Sequence, residues 1–307
     1  MRTEATERLG ISYEAVKAVK RDIIYAYASG YARHGRKATQ PAYDDAIAAE
    51  SGVLGLSKRA TGTPSYPPHA SADKHSGYVL AASITTALFH RERTGVGQLV
   101  HVPMLETMVF YHLAEHLWEA TGRRAAAKTG YERMINRWPF PTKDGHIGVV
   151  AYLDTHWHAL FEALGVPALK DHPNFGRLEV RVKNMTTLFE TITPLFAAHT
   201  TSEWCEILTR ADVPHGPVQD IDDILADPYF SEVGFVQHYD HPSEGPLLHL
   251  AYPVDYSESP AAFRYPPPKV GEHTIDIMKE LEYDANAISH LEEMGVISTK
   301  PPISDFD

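Results

Sequence analysis

The first hundred residues alternate between helix-like and strand-like patterns of apolar positions. Residues 11–20 have helical spacing, and "DIIYAYASG", residues 22–30, is typical of a strand. A helix is predicted from about His75 to Arg93, ended by Gly95, with an apolar face of Leu80, Ile84, Ala87 and Leu88. The run "QLVHVPM", residues 98–104, is the next predicted strand. This alternation indicates an α/β architecture.

The pattern changes near Tyr131. A turn at Asp144-Gly145 precedes a strand and then a helix from about Asp154 to Gly165, and Thr200 with Glu203 predicts a capping box on a later helix. We therefore predict five segments: a large α/β domain in 1–104, a linker helix in 105–130, a small α+β domain in 131–225, a connector in 226–270, and C-terminal helices in 271–307 that return to the large domain.

Charge and composition narrow the class of protein. The 307 residues carry 28 Lys and Arg against 40 Asp and Glu, a net charge of −12, which argues against nucleic acid or an anionic membrane as partner. The single Cys205 excludes an intramolecular disulfide and reads as a small, partly buried helix residue. We see no signal peptide and no bilayer-spanning run, so we expect a cytoplasmic protein. A local basic cluster could hold an anionic ligand: Arg91, Arg93, Arg123, Arg124 and Lys128.

Several motifs are missing, and one metal pattern is present. The sequence has no Gly-x-Gly-x-x-Gly after a strand, no phosphate-binding P-loop, no Gly-x-Ser-x-Gly elbow and no paired cysteines. His112 and His116, in "HLAEH", have the spacing of zinc ligands on a helix, with Glu119 as a third candidate. Apolar residues share that face, which favours packing over metal binding, and we predict no metal.

Asp73 stands just before the predicted helix at His75. Aspartate is a favoured N-cap residue, and the local pattern alone favours this structural role. The N-terminus of a helix also stabilises a carboxylate, as a nucleophilic aspartate requires. The two roles are compatible, so the pattern leaves both open.

Five blocks in a fixed order carry a resemblance to a known family. They are "ERLGISYEAVKAVKRDIIYAYASGY", "PAYDDAIAAESG", "SADKHSG" followed by "ALFHRERTGVGQLVHVPMLE", "FPTKDG", and "PHGPVQDIDDILADPYF" with "PPPKVGEHTIDIMKEL". With these five blocks the chain resembles the class III CoA-transferase family, also called the CaiB/BaiF family. That family contains formyl-CoA transferase and the carnitine-pathway CoA-transferase. The resemblance covers about residues 7–297.

The resemblance implies a fold and a reaction. The expected fold is an incomplete doubly wound, Rossmann-like large domain with an inserted smaller domain, in a homodimer of interlocked chains. Asp73 matches the family's nucleophile, and CoA contacts are expected at Tyr43, Asp44 and Arg91. The substrates would be an acyl-CoA and a carboxylic acid, joined through aspartyl anhydride and thioester intermediates, with no tightly bound cofactor.

Departures from the family leave two alternatives. The related α-methylacyl-CoA racemases use a His where this chain has Tyr43, and a free phenol, with a pKa of about 10, is a poor base at neutral pH. The run of glycines that some relatives carry is replaced by "RMINRWPFPTKDG". The chain also opens where relatives have completed their first βαβ units. A racemase-like enzyme, or a non-catalytic truncated subunit completed by a partner over an exposed sheet edge, therefore stays open.

Overall fold

The computed structural model describes residues 3–114, 116 and 138–298. The chain divides into two compact units, Met1–Gly216 and Pro217–Asp307. In the first unit the elements up to residue 114 are α1 (Thr3–Arg8), α2 (Tyr13–Val19), β1 (Tyr25–Ser29), α3 (Asp44–Glu50), α4 (Val53–Thr61), α5 (Ser71–Thr94), β2 (Leu99–Pro103) and α6 (Met104–Leu113).

Strands β1 and β2 form a parallel pair, with Tyr25 opposite Leu99 and Ser29 opposite Pro103. The crossover between them contains α3, α4 and the 24-residue α5. Helix α5 ends where Gly95 adopts the left-handed conformation, with φ 72°, which a glycine reaches without steric cost. A small core beside the sheet holds the start of α5 against α3 and α6; its buried members are Tyr31, Ile47, Ala72, Met104 and Met108.

The second part of this unit, from residue 138, has its own core. Its elements are β3 (Phe140–Pro141), β4 (His146–Val149), α7 (Asp154–Ala163), α8 (Leu178–Arg181), α9 (Met185–Ile192), α10 (Thr201–Arg210) and β5 (His215–Pro217), with 3-10 helices at Pro167–Asp171, Val182–Asn184 and Thr193–Ala198. Aromatic rings dominate the packing: Phe140 stacks on Phe196 with centroids 4.3 Å apart, and Trp204 donates its indole N–H to the Phe196 carbonyl at 2.7 Å.

Within residues 217–298, the second unit contains short helices and a β-hairpin. Its elements are α11 (Ile221–Ala226), α12 (Pro228–Glu232), β6 (Val236–His241), β7 (Gly245–Leu250), α13 (Thr274–Glu280) and α14 (Ala285–Glu293). Strands β6 and β7 are antiparallel, with Val236 opposite Leu250. Aspartates cap three of the helices: Asp220, Asp227 and Asp284.

The mixed α/β architecture with a parallel sheet is confirmed, while the doubly wound large domain and the interlocked dimer stay predictions. The five predicted domain boundaries also stay predictions. Segment 226–270, interpreted as a connector with little periodicity, contains the hairpin β6–β7, which the sequence analysis missed. The predicted linker helix begins as α6, whose C-cap is Ala114, and nearly all of its remainder lies outside the described residues. Among the helices that the structure describes, none combines the length and apolar content needed to cross a bilayer.

Candidate functional site

The first turn of α5 presents Asp73. The helix begins at Ser71 and its N-cap is Ala70, which makes no side-chain capping bond. The predicted start at His75 is therefore wrong by four residues, and Asp73 is not the N-cap. The helix starts early because Ala72, which is fully buried, packs into the small core and fixes the turn before His75. The Asp73 side chain is exposed to solvent.

Asp44 reaches Asp73 from a different helix. It is the first residue of α3, and its Oδ1 accepts a hydrogen bond from the backbone N–H of Asp73 at 2.9 Å. The structure thus brings together two of the residues singled out from the sequence. The side chain that caps the first turn of α5 comes from 29 positions earlier in the chain, so local pattern could not have identified it.

The other two predicted CoA contacts lie in different places. Tyr43 is the N-cap residue of α3, next to Asp44, and the residue is 85% exposed. Arg91 is in the last turn of α5, and its Nη1 donates to the Asp22 carbonyl at 3.5 Å. Because Arg91 follows Asp73 by 18 residues, it lies about 27 Å further along the helix axis. Tyr43 and Asp44 therefore belong to the surroundings of Asp73, and Arg91 is at the opposite end of the helix.

Ser29, the last residue of β1, meets His101 in the middle of β2. The Ser29 Oγ lies 2.7 Å from the His101 Nε2, and the His101 ring packs against Tyr27 at 4.7 Å between centroids. Burial, followed by the nearby positive charge of Arg33, lowers the pKa of His101. Its ring therefore stays neutral to lower pH than a free histidine. Sequence reasoning missed this pair because only the strand register brings residues 72 positions apart together.

His101 also lines a groove between α5 and β2 with a volume of about 520 Å³. Val79, Ala82 and Thr86 form the helix wall, and Leu99 lies on the strand side. The groove lies further along α5 than Asp73, which does not line it. The exposed Asp73 carboxylate instead faces solvent at the helix start, where a ligand can approach it.

Cys205 is half-buried on α10, as expected. Burial raises the pKa of its thiol, which disfavours a nucleophilic thiolate.

The two histidines of the zinc-like pattern do not share one helix in the structure. His112 lies on α6, but His116 follows the end of that helix at Leu113. Glu119, and the cationic residues Arg123, Arg124 and Lys128, are outside the described residues. In the part of the chain that the structure describes, no group of three His, Cys, Asp or Glu residues could hold a metal ion.

Comparison with known proteins points to one family. A family model described as CoA-transferase family III matches residues 1–274. The human succinyl-CoA:glutarate CoA-transferase is 28% identical over 294 residues, which cover 94% of this chain and 67% of the relative. An acyl-CoA transferase of Fusarium pseudograminearum is 31% identical over 295 residues, covering 95% and 65%. The acetyl-CoA:oxalate CoA-transferase of Acetobacter aceti is 31% identical over 228 residues, covering 70% and 56%.

Solved structures show the same fold. The crystal structure of Rv3272 from Mycobacterium tuberculosis matches with a TM-score of 0.77 at 26% identity, covering 89% of this chain and 73% of that one. A CaiB/BaiF family protein from Brucella suis matches with a TM-score of 0.74 at 24% identity, covering 92% and 74%. The chain spans about two-thirds or less of the length of the three curated relatives above.

Proposed function

The chain belongs to CoA-transferase family III, and we propose that it moves CoA from an acyl-CoA donor to a carboxylic acid, with Asp73 as the nucleophile. The observation that carries the proposal is the place of Asp73: an exposed carboxylate in the first turn of a 24-residue helix. The positive end of the helix dipole stabilises negative charge there. An acyl carbonyl can approach the side chain from solvent.

The reaction needs four balanced exchanges. An Asp73 oxygen attacks the thioester carbonyl, the C–S bond breaks, and a mixed anhydride and CoA thiolate result. The thiolate attacks the aspartyl carbonyl, releases the donor acid and leaves an aspartyl-CoA thioester. The acceptor carboxylate attacks that thioester, displaces CoA thiolate and forms a second mixed anhydride with Asp73. The thiolate then attacks the acceptor carbonyl of this anhydride, which yields the new acyl-CoA and frees the Asp73 carboxylate. No step removes a proton, so the scheme requires no general base.

The substrates proposed are an acyl-CoA and a small carboxylic acid, with CoA as a substrate and not a resident cofactor. Relatives named for succinyl-CoA with glutarate and for acetyl-CoA with oxalate support short dicarboxylic acids as the first acceptors to test. Tyr43, at the start of α3 beside Asp44, and Arg91 remain proposed CoA contacts. We also propose that the chain works as a homodimer.

The mechanism is tested by trapping the intermediate. Incubation with succinyl-CoA, followed by proteolysis and mass spectrometry, should find an acyl or CoA adduct on the peptide that contains Asp73. Asp73→Asn and Asp73→Ala should abolish both adduct and turnover. Asp45→Asn removes an exposed carboxylate from the first turn of the neighbouring α3 and serves as the matched control. Full turnover by Asp73→Ala, or an adduct on another residue, would contradict the proposal.

The two alternatives give different results in the same samples. A racemase-like enzyme would exchange the α-hydrogen of a 2-methylacyl-CoA with deuterium from the solvent and form no adduct on Asp73. A non-catalytic subunit would show neither adduct nor exchange, and calorimetry would find no tight binding of free CoA by the isolated chain.

A further inference from the structure

We propose that Asp44 is a positioning residue for Asp73, acting through the backbone of α5 and not by contact with substrate. Its carboxylate oxygen holds the N–H of Asp73 at 2.9 Å. This inference rests on the proposed function, because it takes Asp73 to be the nucleophile. It assigns Asp44 a role that differs from the CoA contact expected from the sequence.

The start of α5 needs a partner from outside the helix. The first N–H groups of an α-helix have no acceptor within the helix, and a side chain at the N-cap usually supplies one. The N-cap here is Ala70, which makes no side-chain capping bond. Asp44 therefore supplies the acceptor for the first turn, and it binds at the residue whose side chain is the proposed nucleophile.

Asp44 is itself held in place by the packing of α3. Ile47, one turn after Asp44, is fully buried in the same core cluster as Ala72, the residue before Asp73. At the other end of α3, Glu50 accepts a hydrogen bond from the Tyr31 hydroxyl at 3.1 Å and pairs with Lys37. The contact between Asp44 and Asp73 thus joins two packed helices.

In this proposal the hydrogen bond between Asp44 and the Asp73 amide affects the reaction by fixing the position of the Asp73 carboxylate. A nucleophile gains rate when its attacking atom is held in near-attack geometry, and a displacement of about 1 Å can cost roughly 100-fold. Loss of the Asp44 bond would let the first turn of α5 fray and would spread the positions of the Asp73 carboxylate. Because Asp44 does not touch the acyl-CoA in this proposal, its loss should lower kcat and leave KM nearly unchanged.

Three variants separate positioning from other roles. Asp44→Ala removes the acceptor and should lower kcat roughly 10- to 100-fold. Asp44→Asn keeps an amide oxygen that accepts the same N–H, and should recover most of the loss. Asp45 is the neighbouring acidic residue in the same turn of α3 and is exposed to solvent. Asp45→Ala should therefore have little effect on kcat. A rise in KM without a fall in kcat in Asp44→Ala would show a CoA contact instead and would overturn the proposal, as would Asp44→Asn being as slow as Asp44→Ala.

A second measurement does not depend on activity. Hydrogen–deuterium exchange with residue resolution should show faster exchange of the Asp73 amide in Asp44→Ala, and unchanged exchange in Asp44→Asn and Asp45→Ala. Equal protection in all three variants would overturn the proposal even if Asp44→Ala were slow.

The adduct experiment separates this inference from the function it rests on. If wild-type protein forms no adduct on Asp73, the proposed function fails; if wild type and Asp44→Ala form it at the same rate, only the positioning role fails. If Asp44→Ala does not fold, Asp44→Asn alone tests the proposal. Lost exchange protection of the Asp73 amide in Asp44→Asn, or a kcat as low as that of an Asp73 variant, would then overturn it.

Discussion

At the scale of single residues, the backbone around the parallel strands depends on glycine. A methyl group at Gly97, where the chain enters β2, would overlap the backbone carbonyl of Asp22. Gly77, on an exposed turn of α5, has open space around the same position. The two glycines therefore serve different purposes, although both lie in the block that resembles the family's central motif.

Gly97→Ala should lower the free energy of unfolding by about 1–3 kcal/mol, because the backbone must move to accept the methyl group. Gly77→Ala is the matched control and should raise it by about 0.5–1 kcal/mol, since alanine restricts the unfolded chain and suits a helix interior. Urea unfolding followed by circular dichroism measures both changes. Equal stability of the two variants would contradict the close approach at Gly97.

A buried cation lies in the part of the first unit that begins at residue 138. Arg181 is fully buried, donates to the Phe175 carbonyl at 3.0 Å, pairs with Asp154, and has its guanidinium 5.1 Å from the Trp157 ring. Removing one partner of such a pair leaves a buried charge without compensation, whereas an apolar replacement of the charge itself is better tolerated.

Asp154→Ala should therefore destabilise the protein more than Arg181→Met does. We expect a loss of about 2 kcal/mol for Asp154→Ala, less than for a fully buried pair because the Asp154 side chain is 48% exposed. Glu179→Ala, which changes an exposed acid on α8, should have little effect. Thermal unfolding monitored by tryptophan fluorescence measures the stability of each variant. A larger loss for Arg181→Met than for Asp154→Ala would contradict the argument that an uncompensated buried charge costs more.

At the scale of elements, carboxylates from elsewhere in the chain bind the starts of two helices. Asp44 binds the first turn of α5. Asp144, in the turn between β3 and β4, accepts from the backbone N–H of Thr201 at 2.7 Å and from its hydroxyl at 2.9 Å, at the start of α10. The Thr201 N–H, followed by its hydroxyl, lowers the pKa of Asp144.

This lowered pKa predicts a pH dependence with a definite sign. The lowered pKa means that the folded state favours the ionised form of Asp144. Its contribution to stability is therefore fully present above a pH of about 3.9, the pKa of aspartate in the unfolded chain. It is lost as the pH falls through the lower folded pKa. Asp144→Ala should be less stable than wild type at pH 7, and the difference should disappear in acid. Asp171→Ala, at another exposed aspartate, is the control. An equal difference at pH 7 and in acid would contradict a role for the charge.

Local sequence signals predicted these elements unevenly. Gly95, the turn at Asp144-Gly145 and the Thr200–Glu203 capping box were identified correctly because each acts within a few residues. The start of α5 was not, since it depends on burial of Ala72 against residues from other elements. The hairpin β6–β7 does not follow from its sequence, because polar residues take buried positions and apolar residues take exposed ones: His241 of β6 is buried, while Leu247 and Leu248 of β7 are exposed.

The candidate site was predictable only in part. The local pattern singles out Asp73, the family resemblance adds Tyr43, Asp44 and Arg91, and the structure brings Asp44 onto Asp73. The Ser29–His101 contact depends on the register of two strands, and no periodicity within either strand encodes it. The roles of Asp73, Tyr43, Asp44 and Arg91 stay predictions until variants are measured.

At the scale of the whole molecule, much apolar surface in the first unit is open. Phe89 and Tyr78 on α5 are 65% and 70% exposed, and Phe110 on α6 is 82% exposed. Strands β1 and β2 form a two-stranded parallel pair in the described residues, whereas parallel sheets normally have both faces covered. Exposed aromatic side chains in this number are typical of surfaces that another chain covers.

The proposed homodimer makes this surface understandable and can be tested directly. Sedimentation equilibrium should give a mass of twice the 34.2 kDa of one chain, and the dimer should persist in high salt because apolar burial is not screened as charge pairs are. The chain's net charge of −12 works in the opposite direction at low salt, where like-charged subunits repel. The association should therefore tighten, or stay constant, as salt is added. A monomer at all salt concentrations would contradict the dimer, and dissociation on adding salt would show that ion pairs and not the aromatic surface hold it together.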